Sequence, residues 1–181
     1  MTEPQKAYVL DTGPLSHFAR AQWLGVLKIV LKDHRVLIPD VVAQELRNGA
    51  EQHHHLRCVL DADWIETVAL ETPAQLAAFA HYERHLVGAD GRNVGECGVL
   101  ALAETLPSAV AVVDDRVAKE AARGRPVTLR RTLALLCDAI HIGLLTVPLV
   151  SALADDLIAG KYRLPFPPGG FAEWCAREGL F

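Results

Sequence analysis

Short apolar runs alternate along this chain with longer stretches in which apolar residues recur every three or four positions. Residues 7–11 (AYVLD) form an apolar run closed by an acid, the pattern of a short strand buried on both faces. Pro14 suits the first turn of a helix, because its ring holds φ near the helical value. Leu15, Phe18, Ala19, Trp23, Val26, Leu27 and Val30 then recur at helical spacing and predict a helix. Residues 36–38 predict a second strand, stopped by Pro39, and Asp40 is placed to cap a helix over 41–48. Residues 51–61 are polar and ambiguous, with a helical leaning, and 64–70 read as either a strand or a linking segment.

The second half repeats the alternation. Helices are predicted over 73–86, 95–106, 115–123, 132–142 and 148–159, and strands over 109–113 and 126–129. Residues 87–93 form a loop with two glycines, 164–170 (LPFPPGG) a proline-glycine hinge, and 171–177 a short terminal helix. The 95–106 segment is apolar nearly all round, so it belongs at the centre of the fold. Short strands between longer helices are the signature of a parallel sheet flanked by helices.

A length of 181 residues suits one domain with a real core. No apolar run reaches the roughly 18–20 residues of a membrane span, and residues 1–6 contain no signal-peptide core. Cys58, Cys97, Cys137 and Cys175 lie far apart with no C-x-x-C pair. That spacing fits reduced thiols in a cytoplasm better than a disulfide framework or a zinc site. The net charge is −4, yet residues 116–131 hold six basic side chains and one acid, Glu120. Such a local basic face can guide a polyanion even on an acidic protein.

Asp11-Thr12-Gly13 matches the triplet of the aspartic proteases. That chemistry needs a mostly β fold and two such aspartates sharing a proton, whereas this chain is helix-rich and has one triplet. In an open α/β sheet, sites form beyond the carboxyl ends of the strands. Asp11 ends the first strand, and Asp114 and Asp115 follow the strand at 109–113; if those strands are neighbours, the acids share one crevice. Val42, Glu45 and Leu46 fall at i, i+3 and i+4, which puts Glu45 on the apolar face of its helix, where a charge is costly unless paired or bound to metal. Glu96 opens the central helix between Gly95 and Gly98. Each acid also has an ordinary reading, as a turn residue, a cap or a solvated edge. Four acids converging would repel by roughly 4 kcal/mol per pair at 4 Å and an effective dielectric near 20. Such a cluster needs protons, basic partners or a divalent cation, and all-oxygen donors suit Mg²⁺ or Mn²⁺.

With these residues in place, the chain resembles the PIN domain family, a metal-dependent ribonuclease fold that includes VapC-like toxins of toxin–antitoxin systems. The likeness spans about residues 7–164. It rests on Asp11 in YVLDTGPLS, Glu45 in IPDVVAQEL, Glu96 in NVGECGVLALA, Asp114 and Asp115 in AVVDDRVAKEAA, and on RRTLALL and GLLTVPLVSALADDLIAGKY. It departs from the pattern at Glu96, where many members carry aspartate, at Lys119, where arginine is expected, and at Arg131, where glycine is usual. The resemblance implies a three-layer α/β/α fold with a central parallel sheet of about five strands, in which residues 1–164 are a nuclease domain, followed by the hinge and helix of 165–181. It implies one or two Mg²⁺ or Mn²⁺ ions held by Asp11, Glu45, Glu96, Asp114 and Asp115, which would also be the catalytic residues. Thr12 would fix Asp11 by a hydrogen bond, and Arg116, Lys119 and Arg123 would hold the RNA. The implied function is a metal-dependent endoribonuclease, the toxin of a type II pair, with RNA and a cognate antitoxin as partners, no membrane contact, and room for a homodimer.

Two other classes remain open on the sequence. One is a PIN-like module that binds RNA or protein without turnover. The other is a phosphotransfer enzyme or receiver, which lacks support: a dehalogenase-type site wants an aspartate two residues after the first, where Gly13 stands, and no suitably placed lysine suggests a receiver. His53-His54-His55 lacks companion ligands and reads as a polar surface. The cysteines read as core or surface thiols. Phe171, Trp174 and Cys175 form a small apolar face, read as packing back on the domain, with a second subunit or an antitoxin as the sharper alternative.

Overall fold

The computed structural model describes residues 5–87 and 92–180. Among these the strands are β1 (Ala7–Leu10), β2 (Arg35–Pro39), β3 (Ile65–Val68), β4 (Ala109–Val112) and β5 (Thr128–Arg130), all parallel, in the order β3-β2-β1-β4-β5. β1 and β4 are almost wholly buried and carry the apolar runs that a two-sided sheet requires. The predicted α/β/α class and parallel sheet hold. Within 64–70 the strand is Ile65–Val68, and the last strand begins two residues later than the expected 126–129 and ends one later.

The helices are α1 (Thr12–Arg20), α2 (Leu24–Val30), α3 (Asp40–Ala50), α4 (Arg57–Leu60), α5 (Pro73–Leu86), α6 (Val94–Thr105), α7 (Arg116–Ala121), α8 (Thr132–His141), α9 (Val147–Ala159) and α10 (Phe171–Arg177), with a 3₁₀ turn at His54–Leu56. Right-handed crossovers place the helices of an outward run and a returning run on opposite faces. β1 to β2 to β3 moves one way, through α1–α4, and β3 to β4 to β5 moves back past β1, through α5–α7. α8 then packs on α2, and α10 on α9.

The periodic stretch after Pro14 is two helices rather than one. Gln22 takes φ +64° and Trp23 turns the chain, its indole N–H donating to Asp156 Oδ2 at 2.8 Å. The apolar spacing survives the break because both helices face the same core, so periodicity alone does not register it. Asp40 is the first helical residue rather than the cap, which is Pro39, and its carboxylate accepts from the Val41 N–H at 3.0 Å. Thr72 and Gln75 close a reciprocal capping box on α5. Of the loop over 87–93, residues 88–91 lie outside the described residues.

α6 is the central helix, with Cys97 through Ala103 buried, and it packs on β1, β2 and β4 while α3 and α5 close over it. Two glycines permit the approach. A Cβ at Gly98 would stand 2.3 Å from Val41 Cγ2 and 3.1 Å from the Pro39 ring, and one at Gly95 would stand 2.7 Å from Glu45 Oε2. α3 and α6 belong to opposite layers, so this contact is where the layers meet over the carboxyl edge of the sheet. Phe171 and Cys175 of α10 are buried, and the Phe166 ring lies 5.6 Å from Phe171 and 5.3 Å from Trp174. The terminal helix therefore packs back on the domain.

Gly98→Ala is expected to cost about 1–3 kcal/mol in urea unfolding, the range for forcing a methyl group into a filled interface. Gly25→Ala, where nothing lies within 4 Å, is the matched control and is expected to change stability by no more than about 1 kcal/mol, in the stabilising direction.

Candidate active site

β1 and β4 pair directly, with Leu10 opposite Val112. The strand order reverses here, and the residues leaving the two strands face the crevice where open α/β sheets place their sites. Asp11 leaves β1 and caps α1, its Oδ2 accepting from the Gly13 N–H at 3.2 Å. Its other oxygen, Oδ1, is buried and has no hydrogen-bond partner. Burial pushes the Asp11 carboxyl up to about 8, with Glu96 and Glu45 adding repulsion against the pull of the Gly13 N–H. The group is 8% exposed, so water offers little relief.

Glu45 reaches the same place from α3. Thr12 Oγ1 donates to its Oε2 at 2.6 Å, and the Gly95 N–H donates to its Oε1 at 2.9 Å. The Thr12 hydroxyl therefore fixes Glu45, whereas the family resemblance implied that it would fix Asp11. In a helix the side chain one position past a cap turns away from it, and here it meets the neighbouring helix. Glu96, in the first turn of α6, has its pKa raised by burial and by the charges of Glu45 and Asp115.

Asp114 is clasped by groups from two distant segments. The Thr132 N–H donates to Oδ1 at 3.0 Å, Thr132 Oγ1 donates to Oδ2 at 2.6 Å, and the Tyr162 hydroxyl also donates to Oδ2. Burial and the neighbouring Asp114 charge hold the Tyr162 hydroxyl well above its ordinary pKa. The Tyr162 ring in turn lies 4.8 Å from the His17 ring. Asp115 caps α7 through Oδ1, which accepts from the Val117 and Ala118 N–H groups at 2.6 and 3.1 Å. Its charge is among those that bear on Glu96.

The fold thus brings Asp11, Glu45 and Glu96 into one charged neighbourhood, with Asp114 across the crevice. Among the described residues, no three His, Cys, Asp or Glu side chains are gathered as a ready ligand set for a metal ion. Glu45 and Asp114 each rest both oxygens on donors of the protein and Asp115 rests one, whereas Asp11 Oδ1 is buried without a partner. The donor set nonetheless fits a hard divalent ion. It is all oxygen, it includes one buried orphan oxygen, and Gly95 leaves room that a Cβ would fill against Glu45.

The basic run divides. Arg125 is spent on the nearly buried Glu104, its Nε donating to Oε2 at 3.0 Å, and Glu104 also accepts from Tyr82. Arg123 pairs with Glu120 at 3.0 Å and Arg130 with Asp138 at 2.9 Å. Arg116 and Lys119 are exposed on α7 beside Asp115. Thr132 and Tyr162 are the site residues that sequence reasoning missed. Thr132 lies in the RRTLALL stretch, so a signal existed; Tyr162 had none beyond its place at the end of GLLTVPLVSALADDLIAGKY.

A carboxyl group whose folded pKa lies above its unfolded value binds more protons when folded, so stability falls as pH rises between the two values. For Asp11 that window runs from about 4 to about 8. In metal-free protein, Asp11→Asn is expected to unfold at a higher temperature than wild type at pH 8, by several degrees. The gap should shrink steadily towards pH 5 in thermal unfolding scans. A gap independent of pH would contradict this account of Asp11.

The family model for DUF3368, described as a PIN domain, matches residues 7–166. No curated protein sequence matches the chain. Among solved structures, VapBC2 from Rickettsia felis, bound to a DNA fragment from its promoter, superposes with a TM-score of 0.49 and 14% identity. That superposition covers 69% of this chain and 98% of the other. Since the family model takes in most of its length, this chain belongs to the PIN domain family.

Proposed function

We propose that this PIN-domain protein is a metal-dependent endoribonuclease and the toxin of a type II toxin–antitoxin pair. The observation that carries the reading is the buried, unpartnered Oδ1 of Asp11 beside Glu45 and Glu96 at the mouth between β1 and β4. A buried carboxylate oxygen without a donor is costly, and the cap that Asp11 makes on α1 uses only the other oxygen, Oδ2.

Asp11, Glu45, Glu96 and Asp114 would hold Mg²⁺ or Mn²⁺, with Asp115 assisting through the oxygen that does not cap α7. Such an ion, when bound, supplies an acidified water and neutralises charge on a scissile phosphate. The protein's own contribution is orientation. Thr12 and the Gly95 N–H fix both oxygens of Glu45, and Thr132 and Tyr162 fix both oxygens of Asp114. Partners of this kind set the direction and basicity of a ligand. Arg116 and Lys119, with Arg123 at the far end of α7, are the proposed contacts to the RNA backbone. The cognate antitoxin would be the protein partner that restrains the activity. No helix among the described residues is long and apolar enough to cross a membrane.

The saturation of Asp114 by three donors favours a second reading, a PIN module that holds RNA or protein without turnover. Metal uptake separates the two. Mn²⁺ is expected to raise the melting temperature of the wild-type chain and to leave Asp11→Asn unmoved. Thr12→Val should weaken Mn²⁺ affinity by about 10–100-fold, the usual cost of losing a partner that orients a ligand. With a pool of single-stranded RNAs and Mn²⁺, wild type should cleave and Asp11→Asn should not. In cells, wild-type expression should arrest growth and Asp11→Asn should relieve the arrest. Equal cleavage by both proteins, or no Mn²⁺ shift in wild type, would sink the nuclease reading.

A further inference from the structure

A groove of about 590 Å³ begins at Asp114 and Tyr162 and runs along α8 to the terminal helix. That volume falls in the roughly 300–1,000 Å³ range of sites that enclose a ligand of nucleotide size. Leu133 forms part of its apolar floor, Arg131 and Arg163 stand along it, and Trp174 closes the far end. Among the described residues the side chains of Arg131 and Arg163 make no ion pair, whereas Arg130 in the same wall is neutralised by Asp138. Glu178, at the far rim, is offset by Arg177 at 3.7 Å. The Trp174 ring lies 5.3 Å from Phe166 and 6.2 Å from Phe171, and its indole N–H meets no acceptor among the described residues. Lys119 and Arg131 share a smaller hollow of about 210 Å³ beside the groove, so the basic rim continues onto α7.

Unpaired cations along one wall and a rigid, partly exposed aromatic face at the end are what a single nucleic-acid strand needs. Cations follow its phosphates, and bases of any sequence stack on the ring. We infer that this groove is the path of the RNA strand leading away from the cleavage site, with Arg131 and Arg163 on its backbone and Trp174 stacked on a base. The inference rests on the ribonuclease reading. It adds a subsite whose platform comes from α10, beyond residue 166 where the family match ends. Because Tyr162 both lines the groove and donates to Asp114, a strand lying there adjoins the acidic crevice directly.

The test uses the full chain without divalent ions, so that no turnover intervenes, and fluorescein-labelled, random-sequence single-stranded RNA followed by anisotropy. Arg131→Gln/Arg163→Gln should weaken binding at least about tenfold. It should also flatten the slope of log affinity against log salt by about 1.4, the share of two single-strand phosphate contacts. Trp174→Leu should weaken binding by about five- to a hundredfold and leave the salt slope unchanged. The Mn²⁺-induced melting shift should be the same in both variants as in wild type, which also reports that they fold. Unchanged RNA affinity in the exposed double-arginine variant overturns the inference and leaves the groove to a protein occupant. A chain that takes up Mn²⁺ but binds no RNA overturns it as well. A chain that does neither overturns the ribonuclease reading itself.

Discussion

Parallel pairing of β1 with β4 is the contact on which the crevice depends. The two strands lie about 100 residues apart, and their register sets Leu10 beside Val112. Two acids that leave their strands at the same edge then look into one gap. A slip of one residue in a parallel ladder would turn every side chain to the other face. Here both strands are buried on both sides, so the apolar core on each face holds the register. The chemistry at the edge is therefore positioned by residues such as Val9, Leu10, Ala111 and Val112, none of which takes part in it.

Charge at this edge is arranged at some cost. Asp11, Glu45 and Glu96 repel one another in a place where water is scarce, and burial pushes Asp11 and Glu96 towards their neutral forms. The protein relieves the cost where it can. Thr12, Gly95, Thr132 and Tyr162 each donate to a carboxylate, and Asp115 is satisfied by the first turn of α7. Asp11 Oδ1 is left out of this arrangement. Stability is commonly sacrificed in this way where function requires an unsatisfied group.

Much of the fold is legible in the chain. The strand at 109–113, the helix at 73–86 and the apolar helix opened by Glu96 all follow from local pattern. The misreadings have separate causes. The turn at Gln22 and Trp23 divides a helix without breaking its apolar period, since both halves bury the same side. Asp40 moved one position because Pro39 closes the strand and starts the helix at once. The basic run from Arg116 to Arg131 reads as one face in sequence, but Glu104, Glu120 and Asp138 claim three of its members from different directions.

By itself the sequence determined the element types, the parallel α/β class, and the four acids at element ends or on a core-facing side. These depend on interactions within a few residues, where periodicity and caps act. Only the tertiary structure decided what each acid touches. Thr12 serves Glu45 on α3, Gly95 is bare because Glu45 lies against it, and Tyr162 comes back from the end of α9 to Asp114. Those contacts join residues 33 to 50 positions apart, and no local pattern encodes them. They arise because layers from the two faces of one sheet meet over its carboxyl edge.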